Sequence, residues 1–165
     1  MKPEPGQEQL PCHFRAMIAA ADRDENARDV IRDCLAEYRN VGDWEHVSSM
    51  LQMLADVEFE AGNRAAFEQL YVESIAVSPR PHSARLFYID ALLFCVKDRA
   101  AALSELTRLE SLLADPLNAA AVADMPGTFY EDAIAALRAE AVRDDEPDPM
   151  VLARALMALP IPDDR

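Results

Sequence analysis

Glycine is scarce in this chain. Its four glycines, Gly6, Gly42, Gly62 and Gly127, are too scattered to build a phosphate-cradling loop. Lysine is scarcer still: Lys2 and Lys97 stand beside fourteen arginines, and sixteen basic residues face thirty acidic ones, for a formal charge of −14. Such a field repels nucleic acid, anionic membrane and phosphate-rich ligands, and it draws basic partners. No apolar run approaches the roughly 18 residues a membrane span needs. The opening MKPEPGQEQLP lacks the apolar core of a signal peptide. β-Branched residues are few and no useful window alternates polar with apolar, so strands are not expected. The three cysteines, Cys12, Cys34 and Cys95, are an odd and widely spaced set. The last two fall at apolar helix positions, where a reduced thiol acts as a small hydrophobe. A reducing, cytoplasmic setting is the expectation. The arginine bias and 29 alanines point to a GC-rich bacterial genome.

What is present is helical periodicity, with the glycines and the eleven prolines at its breaks. The length predicts one all-helical domain over 10–159, flanked by flexible Pro-marked ends at 1–9 and 160–165. The pattern predicts about seven to eight helices. A weak one covers 11–21. Asp24 caps one over 24–40, with Ala27, Val30, Ile31, Cys34, Leu35 and Tyr38 on its apolar face. Asp43 caps the next, to Ala61, whose stripe is Trp44, Val47, Met50, Leu51, Leu54 and Val57. Gly62 ends that helix and Asn63 opens another, bearing Phe67, Leu70, Tyr71 and Ile75. The segment 82–96 is apolar almost all round, as a central element would be. Asp98 starts a helix that ends before Pro116, a short piece follows over 117–123, and Met125-Pro126-Gly127 breaks it. Thr128 caps a helix to Val142, the run DDEPDP is a solvated connector, and a last amphipathic helix covers 150–159. Short connections make successive helices antiparallel, giving stacked hairpins or an irregular bundle.

The segment Ser48 to Pro81 resembles one tetratricopeptide (TPR) repeat, a 34-residue pair of helices. With Gly62 at the turn, Leu51, Leu54 and Ala55 fall on the packing positions of the first helix, Tyr71 and Ser74 on those of the second, and Pro79 on the closing proline. Phe67 departs from the alanine the family prefers. Gly42 lies only 20 residues before Gly62, so the two turns do not frame two full repeats. The resemblance implies a short right-handed superhelix of hairpins that binds a protein or peptide on a concave face. The positions it assigns to that face are Ser49, Gln52, Asp56, Phe59 and Glu60.

Other chemistry has little support. His13, His46 and His82 include no pair at the i, i+4 spacing of a helical metal motif, and Cys12-His13 is the nearest thing to a thiol–imidazole pair. Asp22-Arg23-Asp24-Glu25-Asn26 begins like a calcium loop, but Ala27 stands where the turn glycine belongs and Asp33 where a glutamate does. No nucleophile elbow and no cofactor motif is found. The chain is therefore expected to be a non-catalytic interaction protein with no cofactor and no metal. Its partner is a protein or peptide of basic character, and neither nucleic acid nor membrane. An immunity protein covering a basic toxin or effector fits this description first. A TPR-like adaptor, a secretion chaperone, or a small helical enzyme with an unrecognised carboxylate or metal site follow. A monomer or a homodimer, the latter through the stripe Met150, Val151, Leu152, Ala155, Leu156 and Leu159, is compatible with the pattern.

Overall fold

The computed structural model describes residues 11–23, 25–118 and 128–158. The expected flexible ends, the Asp24 cap, most of the helical piece after 118 and the break at 125–127 lie outside the described residues. Among those described there are eight α-helices and no strand, as the periodicity predicts. The chain packs as two compact units, Met1–Pro79 and Arg80–Arg165, within what the length suggested was one domain.

The first unit holds α1 (Cys12–Ala21), α2 (Ala27–Val41), α3 (Trp44–Glu60) and α4 (Arg64–Val77). Local chemistry sets most of their ends. Asp43 accepts a hydrogen bond from the His46 amide (3.2 Å) and Asn63 from the Ala66 amide (3.3 Å), the N-cap role that leaves fewer orphan donors in the first turn. Gly42 and Gly62 take φ of +73° and +80° at the two hairpin turns, a backbone that costs glycine nothing. α2 begins at Ala27 after Asn26, with no side-chain cap, so the helix starts later than expected. Helix α3 is the hub: α1, α2 and α4 all pack on it. Ile31, Val47, Met50, Leu51 and Leu54 form the core beside Cys12, Ala16 and Cys34. Trp44 continues the α3 stripe but stands at the first helical position, where 48% of it stays open, contrary to its expected place in the core.

Cys12 and Cys34 are joined as a disulfide between α1 and α2, with Cα atoms 5.4 Å apart. The expectation of reduced thiols is corrected for this pair. Local apolar spacing explains burial at Cys34 but carries no information about a partner 22 residues away. Cys95, expected on an apolar helix face, is exposed at the C-cap of its helix.

The second unit holds α5 (Pro81–Phe94), α6 (Arg99–Ala114), a 3-10 turn at Pro116–Asn118, α7 (Phe129–Ala141) and α8 (Val151–Met157). α5 packs on both α6 and α7, consistent with its apolar circumference, and buries Leu86, Ile89, Leu92 and Leu93. Asp98 caps α6 through the Ala101 amide (3.0 Å). Thr128 does not cap α7 with its side chain; its hydroxyl donates to Asp132 instead (2.7 Å). α8 lies on α7. The connector before it is exposed but pinned. Arg143 holds Glu140 and Asp145, the Asp148 amide donates to Glu140 (2.8 Å), and Arg154 pairs with Asp148. The Arg143 guanidinium holds the Asp145 carboxyl down at about 2.

Candidate functional site

Along α3, the five residues assigned to a binding face do not form one free surface. Gln52 Nε2 donates to Ser74 Oγ on α4 (3.0 Å), beside a buried Ser48–Ser74 hydroxyl pair at 2.8 Å. Tyr71 donates its hydroxyl to Asp56 Oδ1 (3.1 Å). Phe59 packs on the fully buried Phe67 ring with centroids 5.4 Å apart. These three side chains thus seam α3 to α4. Ser49 donates to the Glu45 carbonyl of its own helix (3.3 Å), and Glu60 reaches Arg23 at 3.6 Å. Asp56 and Glu60 remain exposed, and Ser49 half-buried, along the rim. Dehydration around the Asp56 carboxyl, with the like charge of Glu60 adding to it, raises its pKa to about 6 against the opposing Tyr71 hydrogen bond.

A second constellation, which no motif in the sequence announces, forms where α1, α2 and α3 meet. Asp43 binds twice to one residue: Oδ1 takes the His46 amide, and Oδ2 lies 2.7 Å from His46 Nδ1. The backbone hydrogen bond, helped by the imidazole, holds the Asp43 carboxyl below its usual range. An ionised carboxylate only accepts, so Nδ1 carries the proton of this hydrogen bond. Tyr38 stacks on the His46 ring at 4.6 Å, and its hydroxyl accepts the His13 amide (3.0 Å). The His13 ring meets His46 edge-on at 5.5 Å. Two of the three histidines, 33 residues apart in the chain, therefore converge from α1 and α3, and no local spacing rule detects that.

This corner resembles the Asp–His half of a nucleophilic triad. The nearby Cys12 sulfur, the one nucleophile that the Cys12-His13 dipeptide offers, is committed to Cys34. Among the described residues no group of three His, Cys, Asp or Glu side chains is placed to hold a metal ion. Of the residues resembling a calcium loop, Asp24 lies outside the described residues, Asp22, Arg23, Glu25 and Asn26 lie between α1 and α2, and Asp33 sits on the regular helix α2. The third histidine, His82, is buried edge-on to Tyr130 at 6.1 Å. Among the described residues no helix is long and apolar enough to cross a membrane.

Charge is distributed unevenly across α2. Arg28 and Arg32 turn to the buried Glu58 of α3, at 2.6 and 3.8 Å. Asp29, Asp33 and Glu37, one turn apart from each other, stand exposed on the same helix. Compared with known proteins, the chain matches no family, no curated protein and no solved structure.

Proposed function

We propose that this protein is a non-catalytic interaction module whose partner is a basic protein or peptide, as an immunity protein is to a toxin or effector. One observation carries this function: along α2 the exposed row Asp29, Asp33 and Glu37 is answered only in part, by Arg32 at 3.9 Å and Arg15 at 3.6 Å, while Arg28 is drawn to Glu58, on a chain of formal charge −14. Cations tied up in pairs leave a surplus of negative charge on the exterior, which steers basic partners and raises association rates. The rim residues Ser49, Asp56 and Glu60 extend the same polar and acidic character along α3. The hairpin of α3 and α4, turning at Gly62, supports a TPR-like adaptor as a finer form of the same role. Where the protein works sets the state of the Cys12–Cys34 bond. The thiol pool of the cytoplasm expected from the sequence opposes it, and an oxidising compartment preserves it.

The test is affinity capture from the source organism at low and moderate salt, beside an unrelated protein of equal net charge. Enrichment of a basic partner by this chain alone, weakened by salt, is expected. An adjacent toxin or secreted-nuclease gene would specify the immunity role, and a neighbouring secretion apparatus the chaperone role. Recovery of the same proteins by both baits would reduce the function to bulk charge.

A further inference from the structure

Helix α1 is amphipathic in an inverted sense. Its buried side is made of small residues, Cys12, Ala16 and Ala19, while Phe14, Met17 and Ile18 are 53, 45 and 43% exposed at i, i+3 and i+4. A core-seeking helix does the opposite, putting its largest apolar groups inside. The outward placement is held from the other side of the helix. Cys34 bonds Cys12, the Tyr38 hydroxyl takes the His13 amide at 3.0 Å, and Arg15 reaches Glu37 at 3.6 Å. α1 is therefore positioned with its large apolar side chains about half open, and a cluster of this kind on a surface marks a site of association.

We propose that the outer face of α1, formed by Phe14, Met17 and Ile18 and bordered by Asp33 and Glu37 of α2, docks a basic amphipathic helix of a partner protein. The choice of occupant follows from charge. The Arg15–Glu37 pair places Glu37 beside α1 and answers part of its charge, while Asp33 lies one turn earlier on the same exposed side of α2, in a chain of formal charge −14. A helix with an apolar stripe and flanking lysines or arginines satisfies both halves of this surface at once, the helix-in-groove mode of recognition. A second copy of this chain would bring carboxylates against carboxylates. The docking face deepens the binding function proposed above and rests on it.

The probe is a synthetic peptide of about five helical turns, leucine on one face and lysine on the other, beside a leucine–glutamate peptide of the same pattern. Each is titrated against the full chain by fluorescence anisotropy at two salt concentrations. The lysine peptide is expected to bind, less tightly at higher salt, and the glutamate peptide is not. Phe14→Ser combined with Ile18→Ser weakens binding by about tenfold or more, whereas Phe14→Leu retains it. Asp33→Asn with Glu37→Gln weakens it and flattens the salt dependence. Asp144→Asn with Glu146→Gln, in the second unit, leaves it unchanged. If the peptide binds but the α1 and α2 variants behave as wild type, or the Asp144/Glu146 variant loses as much, the docking face is wrong and the general function survives. No binding of the lysine peptide overturns both. Self-association of the wild type that the Phe14/Ile18 variant abolishes assigns the face to a second copy and overturns this proposal alone.

Discussion

Tyr71 donates a hydrogen bond to Asp56 across the α3–α4 seam, yet partial dehydration of the carboxyl against the packed seam, with Glu60 nearby, pushes its pKa up to about 6. An unfolded aspartate titrates near 3.9, so between about pH 4 and pH 6 the folded chain binds more protons than the unfolded one. The contribution of Asp56 to stability therefore falls as pH rises through that window. Asp56→Asn, which keeps an acceptor for Tyr71, should flatten this part of the stability profile and raise the melting temperature at neutral pH. Melts across pH 4 to 7 with parallel wild-type and variant curves would contradict it. Phe67 carries a separate expectation. It is fully buried between Phe59 and Tyr71, with centroids 5.4 and 5.0 Å away, at a position where the TPR pattern prefers alanine. Phe67→Ala should cost about 3 to 5 kcal/mol in urea unfolding. A near-neutral result would mean that α3 and α4 close up as the TPR pattern does, without the aromatic cluster.

Helix α1 depends on contacts that lie far away in the chain. It runs only from Cys12 to Ala21, has no side-chain cap, and buries mainly alanine against α2 and α3, so its own propensity and burial hold it weakly. The Cys12–Cys34 bond closes a loop across 22 residues, which on the chain-entropy account is worth about 3 kcal/mol. Replacing both cysteines by serine should lower stability by an amount of that order and speed amide exchange in α1 before α3. Peptide mapping without reductant should recover the linked Cys12 and Cys34 peptides, and recovery of both as free thiols would remove the basis for this expectation. The helix boundaries, by contrast, follow from a few adjacent residues. Asp43, Asn63 and Asp98 cap where their side chains reach an amide three residues on, and Gly42 and Gly62 turn where positive φ is needed. Thr128 has the right identity for a cap, but its hydroxyl finds the Asp132 carboxylate instead.

For the whole molecule, each compact unit has its own core. Ile31, Met50 and Leu51 belong to the first, and Leu92, Leu106 and Leu137 to the second. Fragments 1–79 and 80–165 should each give a helical spectrum and a cooperative melt, the first more stable oxidised than reduced. Loss of structure in both on separation would favour the single domain that the length suggested. What the sequence settled unaided is the all-helical class, most helix ends and the acidic character, because propensity, capping and net charge reside in residues close together in the chain or in their sum. Only the tertiary structure decided that Cys12 meets Cys34, that His13, Tyr38 and His46 share one corner, that Gln52, Asp56 and Phe59 lean on α4, and that Phe14, Met17 and Ile18 face outward. Each of those facts depends on which side of a helix its neighbours cover. A periodic pattern shows that an apolar stripe exists, but packing determines whether anything lies against it.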